Sequence, residues 1–231
     1  MSKHGKNYLK AMEKVEQREY ILQEAVSLLK EIKSAQFDES VDVAIRLGVD
    51  PKYPDQMVRG TVVLPHGTGT VKKVLVITAG EKQKEAEEAG ADFCGGEDLV
   101  EKIQNENWFD FDVLIASPDM MRHVGKLGKL LGPKGLMPSP KSGTVTFNIK
   151  EAVADIKKGR VEFKVDKTGI INSSVGKMSF ENGQLVDNAR DFIKAVLKAK
   201  PTALKGRYVL SVYLSSTMSP SIKLGVQQFE N

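Results

Sequence analysis

The chain has 231 residues, 41% of them hydrophobic and 28% charged, with 34 Lys/Arg against 30 Asp/Glu and a formal net charge of +4. Those fractions belong to a folded chain with room for one large domain or two ordinary ones, and they exclude a disordered polymer. The single cysteine, Cys94, excludes an internal disulfide and a cysteine-cluster metal site, and no apolar run approaches the roughly 18 residues of a membrane helix. The opening MSKHGKNYLKAMEK is charged with no apolar stretch after it, so no secretory signal is expected and the compartment is read as cytoplasmic.

In chain order, Ile21, Leu22, Ala25, Val26, Leu29 and Ile32 recur at helical spacing and predict an amphipathic helix. Val41, Val43, Ile45 and Leu47 alternate as one face of a half-buried strand, and MVRGTVVL (57–64) supplies another. Then the rhythm changes. VKKVLVIT (71–78) ends on a strand, EKQKEAEEAG reads as an exposed helix closed by Gly90, and ADFCGG as a short apolar piece. GEDLVEKIQNENW predicts a helix and FDVLIAS (111–117) a second buried strand. SPDMMRHVGKLGKLL predicts one helix with Ser117 as N-cap and Pro118 at the first helical position. Beyond it Val161, Phe163 and Val165 alternate, with a hairpin partner expected around VGKMSF (175–180). Residues 184–199 predict a helix that stops before Pro201, and Tyr208–Leu214 a last strand.

Strand–helix alternation in the middle argues for a Rossmann-like α/β unit, whereas the flanks, pooled, make helices on an antiparallel sheet. The expected fold is therefore α/β and α+β. A discontinuous outer α+β domain, 1–67 plus 160–231, would carry an inserted Rossmann-like α/β domain at 68–159. Glycines in LPHGTGT and KKGR suit two hinge strands, which would permit domain motion.

Charge is unevenly spread. Residues 68–119 hold five Lys/Arg and twelve Asp/Glu, while 120–150 hold six Lys/Arg and no acid. Such asymmetry suits a polyanion on selected faces, although a solvated basic face explains it equally.

A nucleotide-using enzyme is the rival class. Gly-Lys pairs at 125–126, 128–129 and 176–177 are each followed by Leu or Met, so no phosphate-binding G-K-[ST] is present. The turn after the first strand of the middle block, TAGEKQKE, has one glycine where a dinucleotide site needs three. His4, His66 and His123 have no metal-ligand spacing, and no nucleophile elbow occurs. His66, between proline and glycine, reads as a hinge residue. No catalytic residue, metal, cofactor or small-molecule substrate is expected.

Two surfaces are candidates for a polyanion. In the helix after Pro118, Met120, Val124, Leu127 and Leu131 share one side, and Arg122, Lys126 and Lys129 lie opposite. The loop that follows, within LGKLLGPKGLMPSPKSGT (127–144), adds Lys134 and Lys141. The second surface joins the outward residues of RVEFKVDKTG (Arg160, Glu162, Lys164, Asp166, then Lys167, Thr168 and Gly169) to the hydroxyl-rich end of YVLSVYLSSTMSP. Short hydroxyls and bare backbone can approach phosphate and ribose closely, as shape recognition of folded RNA requires. Aromatic content of 6% argues against base-stacking single-strand modules. Phe37, in SAQFDES, fits either an exposed aromatic beside a ligand or a buried staple.

At these residues the sequence resembles the bacterial large-subunit ribosomal protein L-one family. VRGTVVLPHGTG, GADFCGGEDL, LGKLLGPKGLMPSPKSGTV, GRVEFKVDKTG, VGKMSF and SVYLSSTMSPS stand in that family's order and spacing, from about residue 5 to the C terminus. The resemblance implies the inserted two-domain topology and a ribosome-associated, non-enzymatic protein that binds large-subunit rRNA. It implies further a mobile stalk near the E site of the large ribosomal subunit, contact with departing E-site tRNA, and repression of own-operon mRNA. Carried onto this chain, the family's rRNA contacts fall on Phe37, Ser40, Lys167, Thr168, Gly169, Ser211, Thr217 and Met218, with Ser219 beside them. Arg122, Lys126, Lys129, Lys134 and Lys141 are left as an auxiliary basic patch. The chain departs from the family pattern at Ser219, where glycine is common, at Asn172, where histidine is, and at Thr70, where lysine is. The glycine replacement is expected to crowd a close backbone approach.

Overall fold

A computed structural model describes residues 5–80, 82–202, 204 and 206–229, with Lys141 described for its backbone only. The chain begins with helices α1 (Lys6–Glu13) and α2 (Leu22–Glu31), then strands β1 (Ser40–Leu47), β2 (Arg59–Val63) and β3 (Val74–Ile77). Helix α3 (Lys82–Glu88), β4 (Phe93–Gly95), α4 (Glu97–Glu106) and β5 (Val113–Ala116) follow. The short helices α5 (Met121–Val124) and α6 (Gly128–Leu131) precede α7 (Ile149–Lys157), β6 (Arg160–Lys164) and β7 (Ile170–Lys177). Helix α8 (Asn182–Lys198), β8 (Val209–Ser216) and β9 (Ile222–Leu224) complete the order. Two compact units result, Met1–Gly69 with Val161–Asn231, and Thr70–Arg160.

In the first unit four strands form an antiparallel sheet in the order β7-β1-β8-β9. Val41, Val43, Ile45 and Leu47 are buried while Asp42 and Ala44 are half-buried and Arg46 is exposed, so the alternation sets one face inward. That face packs on α2 through Leu22, Ala25, Val26 and Leu29, and on α8 through Leu185, Ala189, Phe192, Ile193 and Val196. Helix α8 starts on a capping box in which Glu181 and Gln184 satisfy each other's backbone N–H groups. Asn188 on α8 is fully buried and fully used: its Oδ1 accepts His66 N–H, and its amide donates to the Gly67 and Val175 carbonyls. His66 also has its Nε2 3.5 Å from the Asp187 carboxylate. Burial pushes the Tyr208 phenol up to about 12, so it stays protonated and donates to the Val196 carbonyl.

The expected hairpin between 161–165 and VGKMSF does not form. β6 pairs with β2 in a separate two-stranded sheet, and β7 pairs with β1. Between β6 and β7 the turn closes through Asp166, but alternation dictates only which face is buried, not which strand is the neighbour. Gly60 on β2 makes this pairing possible, since a Cβ there would stand 2.7 Å from the Phe163 ring. That ring meets Phe192 edge-on at 5.7 Å.

The second unit holds a parallel sheet in the order β4-β3-β5. Both faces are covered. Leu75, Ile77, Leu114 and Ala116 pack with α4 and the 120–131 segment, and Val74, Val76 and Ile115 with α3 and α7. Double coverage explains why β3 is an unbroken apolar run.

The helix expected after Pro118 is not continuous. Tight 3-10 turns at Pro118–Met120 and Gly125–Leu127 alternate with α5 and α6. Gly125 and Gly128 weaken the α geometry there, and tight turns keep Met120, Val124, Leu127 and Leu131 buried regardless. Ser117 makes no capping bond, and its buried hydroxyl finds no hydrogen-bond partner.

Candidate functional site

One face of the first unit's sheet points away from α2 and α8, and α1 comes near it through Tyr8 and Met12, which line a groove with Tyr213 and Lys223. This face carries Ser40, Asp42, Ala44 and Arg46 of β1, opposite Ser215, Tyr213 and Ser211 of β8 and Ser174 and Asn172 of β7. Hydroxyls, one acid and one base make a polar surface. Asp42 sits in its middle, its carboxyl raised by partial burial against the opposing Ser174 hydrogen bond and Lys177 charge. Asn172 is exposed.

At one end of this face, β1 begins where β8 finishes. Ser40 N–H donates to Thr217 Oγ1 at 3.1 Å, and Thr217 N–H returns to the Ser40 carbonyl at 3.1 Å. Lys177 Nζ donates to Ser40 Oγ at 2.9 Å. The Thr217 hydroxyl thus closes the junction while remaining exposed. Phe37 and Met218 are 53% and 56% exposed, which resolves Phe37 as a surface aromatic rather than a buried staple. Asp38, next to it, accepts both the Ser179 amide and hydroxyl.

The acid after Asp38 is buried. Glu39 is 1% exposed, and its carboxylate accepts Ala35 N–H, Met218 N–H and the Ser216 hydroxyl. Sequence reasoning missed it, because nothing local in FDES separates a buried acid from its exposed neighbour. Its donors Ser216 and Met218 lie 177 and 179 residues further on.

Ser219, where a crowded approach is expected, bonds within the chain. Its hydroxyl turns into the chain, accepting Ser216 N–H at 2.8 Å and donating to the Pro220 carbonyl at 3.1 Å. Among the described residues Asn107 alone is a non-glycine with positive φ, so the backbone at Ser219 does not demand glycine.

The other residues gather at the far end of β1. In the turn after β6, Asp166 Oδ1 accepts Thr168 N–H, the Thr168 hydroxyl and Ile170 N–H at 2.7–2.9 Å. Those donors, the Thr168 hydroxyl first, hold the Asp166 carboxyl below its ordinary value. Lys167 and Thr168 project into solvent. Gly169 does not: expected to face outward, it is buried, with φ +80 and its carbonyl accepting Leu47 N–H at 2.8 Å. It shapes the turn. Arg160, also expected outward, is half-buried. Eight residues of β1 separate the two groups, roughly 23 Å at about 3.3 Å per residue. The candidate residues therefore bracket a sheet face rather than converge on a pocket, with Ser211 near the second end, opposite Arg46.

In the second unit Arg122, Lys126, Lys129 and Lys134 are exposed, and the Lys141 side chain lies outside the described residues. Lys134 is not a free arm, since its ammonium sits 3.4 Å from the Phe109 ring centroid. The 132–144 loop is tied to itself: Ser139 N–H donates to Thr144 Oγ1, the Ser142 hydroxyl to the Ser139 carbonyl, and Gly135 and Gly143 have positive φ. Its glycines make turns, and the Ser142 and Thr144 hydroxyls bond within the loop. Among the described residues no group of three or more His, Cys, Asp or Glu could hold a metal ion. No helix among them is long and apolar enough to cross a membrane.

Residues 29–220 match the family described as the Ribosomal protein L1p/L10e family. The chain is 60% identical over 227 residues to the large ribosomal subunit protein uL1 of Solibacter usitatus (strain Ellin6076), covering 98% of this chain and 96% of that one. It is likewise 60% identical over 230 residues to the protein of the same description from Persephonella marina (strain DSM 14350 / EX-H1), covering 98% and 95%.

Proposed function

The chain belongs to the ribosomal protein L1p/L10e family, and from that membership we propose that it is a non-enzymatic, ribosome-associated constituent of the large ribosomal subunit. It binds large-subunit rRNA through the open sheet face of the first unit, forming the mobile stalk near the E site. There it assists release of deacylated tRNA, and it represses translation of its own operon by binding a similar fold in the mRNA. In this reading the first unit is the outer rRNA-binding domain, and 70–160 is an inserted Rossmann-like unit. The exposed basic side chains of the latter supply an auxiliary contact to rRNA or tRNA.

One observation carries the reading. The Ser40–Thr217 junction sets hydroxyls, backbone and two exposed apolar side chains, Phe37 and Met218, together at one end of the sheet. Hydroxyls and backbone groups address ribose, and an aromatic with a thioether addresses an unpaired base. Lys177 adds positive charge beside them, and Lys167 adds it at the far end of β1. Specificity then comes from shape at the open face, and salt-dependent affinity from the lysines.

Footprinting on large-subunit rRNA is the direct test. Protection confined to one folded segment, lost when Phe37 and Met218 are both changed to Ala, is the expected result. Absence of any protected segment would defeat the reading. Co-sedimentation with large subunits separates a ribosomal constituent from a repressor acting off the ribosome.

A further inference from the structure

A surface meant for RNA has an acid buried under it, and that needs a reason. Burying a carboxylate is costly unless several donors satisfy it. Glu39 has three, and they come from both halves of the candidate site. Ala35 opens the segment that carries Phe37. Ser216 ends β8, and Met218 is itself a candidate contact. We propose that Glu39 is a positioning residue for RNA recognition, clamping the Phe37 segment to the Thr217–Met218 turn. Both exposed apolar side chains are then presented ready-made, and the RNA does not have to order them. The proposal rests on the RNA-binding reading above and deepens it.

The charge of the clamp bears on the ligand. Glu39 and Asp38 are acids at this end of the face, with Asp42 further along it, and Lys177 is the ammonium that meets Ser40 there. Phosphate is disfavoured over such a spot. The part of the RNA that meets Phe37 and Met218 is therefore an unpaired base with its ribose, and backbone phosphates fall toward the lysines. Loss of the clamp should weaken binding without altering its dependence on salt, because no phosphate contact is removed.

The test titrates the full-length protein against the stalk segment of large-subunit rRNA at several salt concentrations. Glu39→Ala and Glu39→Gln are measured alone, and Glu39→Ala again in a Phe37→Ala/Met218→Ala background. Glu39→Ala is expected to weaken binding about tenfold and Glu39→Gln less, because its amide oxygen still accepts. The salt slope should stay unchanged, and the penalty should largely vanish in the double-alanine background. Wild-type affinity in Glu39→Ala, an undiminished penalty in that background, or a shallower salt slope would each overturn the proposal. If Glu39→Ala does not fold, Ser216→Ala, which removes one donor and leaves the acid, should give a smaller but equally non-additive loss. Amide hydrogen exchange at Ala35 and Met218 reports the clamp without RNA. Faster exchange at both in Glu39→Ala, with no rRNA binding by the wild type, would sink the RNA reading and spare the clamp; unchanged exchange would sink the clamp.

Discussion

The two units use opposite solutions to the same problem of covering a sheet. In the second, helices cover both faces, and β3 is apolar at every position from Val74 to Ile77. In the first, α2 and α8 cover one face, and β1 alternates buried residues with ones that are half-buried or, at Arg46, exposed. A doubly covered sheet has no flat surface left, so its polar chemistry is confined to helix exteriors and loops. A singly covered antiparallel sheet keeps a broad polar face whose register is pinned by the core behind it. That is why the site residues are expected on the first unit and only an auxiliary patch on the second.

The sharpest way to break this comparison is to separate the units. With 70–160 replaced by a short linker, affinity for stalk rRNA should stay within about tenfold of the full chain. The 70–160 segment alone should fall by about a thousandfold or more, to the non-specific level. Filter binding at fixed salt decides it, and the reverse ranking would move the site to the other unit. Next in size is Asn188→Leu, which strips the partners from His66 N–H and the Gly67 and Val175 carbonyls. Urea unfolding should show a loss of about 3 kcal/mol. Thr217→Val should weaken rRNA binding by about 1–3 kcal/mol. Because the lost hydroxyl also accepts Ser40 N–H, part of that loss should appear as lower stability of the free protein; a change in neither quantity would remove Thr217 from the site.

The smallest effect concerns pH. The Asp166 carboxyl lies below its ordinary value of 3.8 in the folded chain, so the unfolded chain takes up the proton first. Its contribution is complete above 3.8 and is lost as pH falls through the lower folded value. Asp166→Asn should flatten the acid limb of the stability curve slightly while leaving neutral-pH rRNA binding close to normal. A steeper acid limb in that variant would contradict the assignment.

What could be read from the sequence was periodicity. Leu22, Ala25, Val26 and Leu29 announced α2, the odd residues 41–47 announced the inward face of β1, and both bury as their spacing requires. Pairing could not be read, because the neighbours of β1 are contributed by β7 and β8, well over a hundred residues away. The 118–131 segment shows the limit of a helical wheel: its apolar positions were right although the helix was broken by glycine. At the candidate site, exposed Phe37 and the hydroxyls could be named from the resemblance. Gly169 could not be placed, since a glycine required by its own turn looks the same in sequence as one required by a ligand. Glu39 was invisible for the converse reason, its burial depending on donors that arrive near the end of the chain.

That late arrival has a consequence for the order in which the molecule can be made. β1 lies between β7 and β8, so on a growing chain it waits, apolar side bare, until residues 170–177 and then 209–216 emerge. The strands and helices of 70–160 have all their sheet partners within one stretch and can fold during that wait. The open face, with the Ser40–Thr217 junction that closes it, is consequently the last part to take shape during synthesis. A chain stalled before residue 216 would hold a finished second unit and lack the Ser40–Thr217 junction.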